Sequence, residues 1–460
     1  MDKGRLYQSP SVPVPNISVS ADRLLLPSAP RPRGAITNIA LLLNAGYMVA
    51  GRTFAYLGFP GFYPGELLVL LTNMRRRDGL WDTYVKEFRL RPFLPLAISL
   101  FLLWGFVECL RGYLEGYPLL EVMRGLATHY YPLLLFGGMG MGSRLSPAFI
   151  EKYFTFVNIL TGVAMLMSVS ISSDYGFLPW TINVPIIPTP AIPCFTLVLA
   201  IALADRITIG FAISILLGAI ATLTLGRGPI LGAIAGVLLF LCTRLRKRNK
   251  RVLFFLGASG LVYTLLTFTV PALIPDVGGR AGSLNPSRVA ARVVSVFDKD
   301  LAYAISTQSG EDPLYLDIEA GNADWRRIFW NTVIDSLDSS EDWLVGHGHG
   351  FSLGTLMPLA LGVDSSVRTP HNFAVFLLGY TGIIGLILYG LLVLAFATEV
   401  SRCPPSKTRT AIAAGGVAIA ILALSENCLE TPIGAVPTYL TMGILLRVAR
   451  RGRTTIEVYR

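Results

Sequence analysis

The feature that most constrains this chain is a succession of apolar stretches, too long and too numerous to share one water-soluble core. They fall at roughly 36–53, 57–73, 92–110, 118–140, 152–171, 191–205, 207–225, 228–243, 252–273, 372–398, 409–427 and 433–448. About 17–25 helical residues cross the hydrocarbon of a bilayer, so the pattern predicts an all-α integral membrane protein with about twelve transmembrane helices. Composition agrees, with 53% apolar and 15% charged residues and a mean hydropathy of +0.57, outside the range of ordinary soluble domains.

Charge gives the expected orientation. Lys and Arg gather in alternate gaps: Arg75, Arg76 and Arg77 with Lys86, Arg89 and Arg91; Arg144 and Lys152; Arg206; the run Arg244–Arg251; and Arg402, Lys407 and Arg409. Cytoplasmic loops carry such an excess, so both termini are expected inside. The other gaps are short, apart from one loop at 274–370 holding seven Lys/Arg against thirteen Asp/Glu. The net charge of +10 is thus explained by topology, and no nucleic-acid partner is expected. The expected organisation is a disordered tail (1–35), helices one to nine (36–273), the large outer loop (274–370), helices ten to twelve (371–448) and a basic tail (449–460).

Inside the outer loop, Trp325, Phe329, Val333 and Leu337 recur every fourth residue, which predicts an amphipathic helix with Asp324 as N-cap. The segment 172–193, with Pro179, Pro185, Pro188, Pro190 and Pro193, reads as a stiff extended surface segment or a partial re-entrant dip, a plain loop capping the bundle being the simpler reading. The five cysteines lie outside the long loop, and no Cys-x-x-Cys, Walker A loop or zinc spacing occurs, so no disulfide framework, cofactor or metal is expected.

Few residues carry chemistry. His371 follows Pro370 and opens an apolar helix; it is either a general base near neutral pH or a histidine at the lipid interface. Arg227, between two glycines at the outer junction of two apolar segments, either grips phosphate oxygens with its planar fork or snorkels to headgroups. Of Arg280, Arg288, Arg292, Arg326 and Arg327 in the acid-rich loop, two or three at most are expected to be functional. Gly346, Gly348 and Gly350 form an anion-binding concavity or a flexible turn. Glu426 and Glu430 orient His371 or an acceptor hydroxyl, or cap the last loop, and capping is the simpler role.

These residues stand in an order that resembles the O-antigen ligase and polymerase family of bacterial membrane glycosyltransferases. Leu225-Gly226-Arg227-Gly228 is similar to that family's Ser-Arg-Gly turn, with glycine in place of serine. Arg326-x-x-x-Trp330 followed by Gly346-x-Gly348-x-Gly350 resembles its Arg-x-x-x-Trp and Gly-x-Gly elements. His371-Asn372, with Gly379-Tyr380-Thr381-Gly382 beyond, resembles its His-Asn helix. The likeness covers about 200–398 and implies a GT-C-like bundle in the bacterial inner membrane, its active site facing the periplasm. It implies a glycan donor linked to undecaprenyl diphosphate, held by Arg227 with Arg288 and Arg326. His371 would deprotonate an acceptor sugar hydroxyl, supported by Asn372 and Glu426, in a metal-independent, inverting transfer. The acceptor would be lipid A-core for a ligase, the favoured reading, or another lipid-linked repeat for an O-antigen or exopolysaccharide polymerase. A transporter or flippase without catalysis is the alternative of another class. It is disfavoured because helix interiors hold few ionisable residues, Glu66, Arg124 and His129, while the polar residues gather on one face.

Overall fold

The computed structural model describes residues 34–57, 63–74, 78–170, 188–245, 290–291, 294–295, 298–308, 314–357 and 369–457. Helices form along the apolar stretches. In order they are α1 (Ala35–Ala55), α2 (Pro64–Asn73), α3 (Leu80–Leu90), α4 (Phe93–Leu114), α5 (Leu119–Tyr130), α6 (Leu134–Gly142), α7 (Pro147–Ser170), α8 (Pro193–Leu203), α9 (Ile209–Thr224) and α10 (Arg227–Leu245). After them come α11 (Lys299–Gln308), α12 (Leu314–Asp335), α13 (Ser340–Val345), α14 (Phe373–Ser401), α15 (Lys407–Ala423) and α16 (Pro432–Glu457). Every apolar stretch named above carries helix except 252–273, which lies outside the described residues, as do 1–33 and most of the proline-rich loop.

The protein is a helical membrane protein. Among the described residues, α4, α14 and the segments Pro147–Ser168 and Pro432–Arg451 are long and apolar enough to cross a membrane. Helices α8, α9 and α10 are apolar but shorter. The count of twelve therefore rests on the sequence pattern.

Helix α16 is the axis of the bundle, with 89% of its apolar window buried. Its backbone meets that of α6 so closely that a Cβ on Gly138 would stand 2.1 Å from the Leu440 carbonyl oxygen, and one on Gly443 would stand 2.0 Å from that of Leu135. Small residues permit this contact between apolar helices, where packing rather than water drives association. At one end of the bundle the buried Glu399 carboxylate receives Arg91 at 3.0 Å, Arg402 at 2.9 Å and Arg450 at 2.5 Å. Arg450 also reaches Glu87 at 2.8 Å, and Lys407 reaches Glu151 at 3.2 Å. These contacts join connections that the charge pattern assigns to one side.

Helix α14 differs from the single span the sequence predicts. Gly382 has φ 61° and ψ −168°, a conformation that interrupts the helix and favours glycine. The Phe373 and Tyr389 rings nevertheless stand 4.7 Å apart, whereas sixteen residues of straight helix would separate them by about 24 Å. The chain therefore folds back at Gly382. Residues 373–381 run against the half that follows, and the nineteen or so residues after the break, about 28 Å of helix, are what can cross the bilayer. Phe373, two residues past His371, is thereby carried beside Tyr389.

The turn that follows α13 locks this fold-back. The N–H of His347 donates to the Gly379 carbonyl at 2.8 Å and that of Gly348 to Tyr380 at 3.0 Å. Arg111, at the end of α4, donates to the Gly346 carbonyl at 2.6 Å. A Cβ on Gly382 would meet the Leu344 carbonyl oxygen at 2.1 Å. These N–H groups are committed to backbone acceptors, so the glycine turn is a structural clasp and offers no open concavity for an anion there.

Two further expectations need correction. The amphipathic helix is real, with Phe329 and Val333 fully buried and Leu337 buried just past its end, but it begins at Leu314. Asp324 is therefore mid-helix and pairs with Arg327 at 3.3 Å instead of capping. Residues 80–90, which their charges marked as loop, form α3, with Leu80, Thr83 and Glu87 facing inward.

Candidate functional site

The site begins at Pro370-His371-Asn372. The Trp330 indole N–H donates to the Pro370 carbonyl at 2.6 Å, fixing the turn to α12. Asn372 caps α14, its side-chain oxygen accepting from the N–H groups of Ala374 at 3.0 Å and Val375 at 3.2 Å. Between these anchors His371 has φ 54°, a left-handed conformation that costs a non-glycine residue on the order of 1 kcal/mol or more. That conformation turns the imidazole toward the loop between α15 and α16, with the Trp325 ring edge-on at 6.1 Å.

The group it meets is Glu426. His371 Nδ1 stands 3.6 Å from Glu426 Oε2, an ion-pair distance longer than a hydrogen bond. Arg326 donates to the other oxygen, Oε1, at 3.1 Å and to the Ser425 carbonyl at 2.5 Å. Burial alone would push the Glu426 carboxyl up, but contact with His371 and the charge of Arg326 outweigh it and hold the group below its ordinary value. The carboxylate is thus charged and sits between a cation and an imidazole.

Arg227 opens α10 next to this turn. A Cβ on Gly228 would meet the Ser425 hydroxyl oxygen at 2.4 Å and Glu426 Cγ at 3.2 Å, so the first turn of α10 packs on the same two residues. On the other side Gly226, at φ 125°, has nothing within 4 Å of its Cβ position. The structure brings His371, Arg326, Glu426 and the helix start bearing Arg227 together around Ser425–Glu426. Arg288 lies outside the described residues. Arg327 points away, its side chain 72% exposed and paired with Asp324.

Two details escape sequence reasoning. Arg326 already spends donors on Ser425 and Glu426, so it is a strut for the loop, and a phosphate would have to engage its remaining N–H groups. Glu430 is only 8% exposed and faces Asn372 and Thr369; burial pushes its carboxyl well above the ordinary value. The sequence offers both acids as candidates to orient His371 or cap the loop; that Glu430 is buried follows only from the fold. Among the described residues no group of three or more His, Cys, Asp or Glu is arranged to hold a metal ion.

The protein is thus a helical membrane protein in which an imidazole, a carboxylate and two guanidinium-bearing segments gather around one turn of the bundle. Residues 212–390, which include Arg227, Arg326, His371 and Asn372, match the family model described as O-antigen ligase. Over that stretch the chain is similar to the O-antigen ligase family, as its motif order implied. No curated protein matches the chain.

Proposed function

We propose that this protein is a glycosyltransferase of the bacterial inner membrane that moves a glycan from undecaprenyl diphosphate to an acceptor sugar hydroxyl on the periplasmic side. The observation that carries the reading is the meeting of His371, Arg326 and the Arg227 helix start around the Ser425–Glu426 turn. The acceptor hydroxyl attacks the anomeric carbon as its proton passes to His371 Nε2. The Nδ1 side faces Glu426, which orients the ring and offsets the imidazolium charge, the logic of a base held by a carboxylate. The bond from the anomeric carbon to the phosphate oxygen breaks with inversion, its electron pair leaving on the diphosphate. Arg227 and the spare N–H groups of Arg326 neutralise that charge, and Arg288 is a further candidate for the same task. Neutralisation by arginine serves where other transferases use a metal, and the lipid-phosphate bond supplies the driving force.

Lipid A-core is the favoured acceptor, which makes the protein an O-antigen ligase. A lipopolysaccharide gel of a strain deleted for the gene tests this. Long glycan retained on the lipid carrier and missing from lipid A supports ligation. A single repeat on lipid A assigns polymerisation instead, and an unchanged glycan pattern overturns both in favour of transport.

A further inference from the structure

Around the central helix from His371 stands a second polar cluster that the transfer mechanism leaves unused. Glu66, in the first turn of α2, accepts the Tyr130 hydroxyl at 2.6 Å and the Tyr131 hydroxyl at 3.2 Å, both on its Oε1. Its Oε2 is buried and has no hydrogen-bond partner among the described residues. The hydroxyl of Tyr47, a side chain with no exposed surface, has no side-chain partner among the described residues; it lies against the Gly65 backbone and within electrostatic reach of Glu66 and Tyr130. A buried carboxylate oxygen left unmatched is costly, so Glu66 Oε2, beside the Tyr47 phenol, marks a place for a hydrogen-bond donor that these side chains do not supply. Tyr56 and Tyr63, half-buried and packed edge to face at 5.6 Å, border it.

Helix α16 joins the cluster to the first site. A Cβ on Gly65 would stand 2.9 Å from the Tyr47 hydroxyl and 3.2 Å from Val436 Cγ2. Val436 is one turn into the helix that begins just after Glu426 and Glu430. On its other flank Tyr439 meets Tyr389 at 3.5 Å between hydroxyls, and Tyr389 packs on Phe373, two residues from His371. A carboxylate and phenol with spare hydrogen-bonding capacity, edged by aromatic faces, is the chemistry that recognises a sugar: hydroxyls to the polar atoms, C–H faces to the rings.

We propose that Glu66, Tyr47, Tyr130 and Tyr131 form a carbohydrate subsite that holds a part of the acceptor glycan away from His371, across the central helix from it. This rests on the glycosyltransferase reading above. The alternative is a polar tie between α2 and α5.

Purified protein with Glu66→Gln, and separately Tyr47→Phe, would be assayed with rough-type lipopolysaccharide as acceptor probe and a lipid-diphosphate-linked glycan as donor. Direct binding of the acceptor and the melting temperature would be measured alongside. The subsite predicts an acceptor KM at least about tenfold higher for Glu66→Gln, with donor KM within about twofold and melting within a few degrees of the parent. Acceptor KM unchanged in both variants, or acceptor and donor KM rising together with a large melting loss, overturns it. Should the parent bind the acceptor in a Glu66-dependent way yet transfer nothing, the subsite stands and the transferase reading fails. Should it transfer normally with Glu66→Gln silent, the reverse holds.

Discussion

Replacing Glu426 with Gln isolates the electrostatic role assigned to it. The amide keeps an oxygen for Arg326, which approaches Oε1 at 3.1 Å, so the loop remains tied. What disappears is the negative charge 3.6 Å from His371 Nδ1. Two unit charges about 4 Å apart attract by about 4 kcal/mol at an effective dielectric of about 20. Arg326 shares the carboxylate, and both side chains are more than a quarter exposed, 27% for His371 and 29% for Glu426. Solvent and the shared cation should reduce the usable part to about 1.5–3 kcal/mol. In the proposed step the acceptor proton moves to the imidazole as the bond forms, so the loss belongs to the transition state, and kcat should fall by about 10–100-fold.

The assay is transfer of a lipid-diphosphate-linked glycan to rough-type lipopolysaccharide in detergent, with kcat and both KM values resolved. Glu426→Gln should lower kcat with donor KM within about threefold. Glu426→Ala should add a rise in donor KM, because Arg326 then loses its anchor as well. A Glu426→Gln protein with kcat within twofold of the parent would refute the idea that this carboxylate supports the base.

Other outcomes follow from the same geometry. His371→Gly should be inactive yet melt no lower than the parent, since glycine removes on the order of 1 kcal/mol of left-handed backbone strain; retained transfer would dismiss the base. Arg227→Ala should reduce kcat/KM for the donor about 10–100-fold through lost charge-assisted hydrogen bonds, with Arg227→Lys restoring only part because the fork is gone; equal activity in Lys and parent would remove the bidentate contact. Glu430 is held protonated in the fold by burial, whereas an unfolded chain releases that proton above the ordinary carboxyl value of 4.5. Stability from this group is therefore full below about pH 4.5 and lost as pH rises toward the elevated folded value. Melting curves across that range should flatten in Glu430→Gln, and an unchanged slope would exclude Glu430 as the titrating group.

The helices were readable from the apolar stretches because lipid selects for long uninterrupted apolar runs. His371, Arg227 and Arg326 stand out in the sequence as candidates because their spacing follows a family order. What stayed hidden depends on long-range contact. Residues 372–398 look like one span, since glycine is common in membrane helices; only the clasp of Gly346–Gly348 on Gly379–Tyr380 turns Gly382 into a fold-back. Glu426 lies beyond the family match; the sequence leaves it between a partner of His371 and a loop cap, and its place between Arg326 and His371 appears only in the fold. Helix α3 was masked by its charges, which its contacts with the bundle use rather than oppose, as the Arg450–Glu87 pair demonstrates.

The fold-back also bears on how a charged site can exist among apolar helices. Irregular backbone at membrane depth is tolerated where it is buried in protein or lines a water-filled cavity. At Pro370–Asn372 the protein itself satisfies the backbone: Trp330 donates to the Pro370 carbonyl, and the Phe376 N–H donates to that of Asn372 at 2.8 Å. The side chains behave otherwise, for His371, Arg326 and Glu426 each keep 27–29% of their surface. A backbone sealed by protein beneath charged side chains that remain partly open describes the floor of a cleft. A sealed core would have buried these side chains as it buries Glu430, and a lipid-facing surface would have left the carboxylate without its two partners. The short helix 373–381 thus lowers a histidine into the bundle while leaving it reachable, as a base must be if one substrate approaches along the membrane and the other from water.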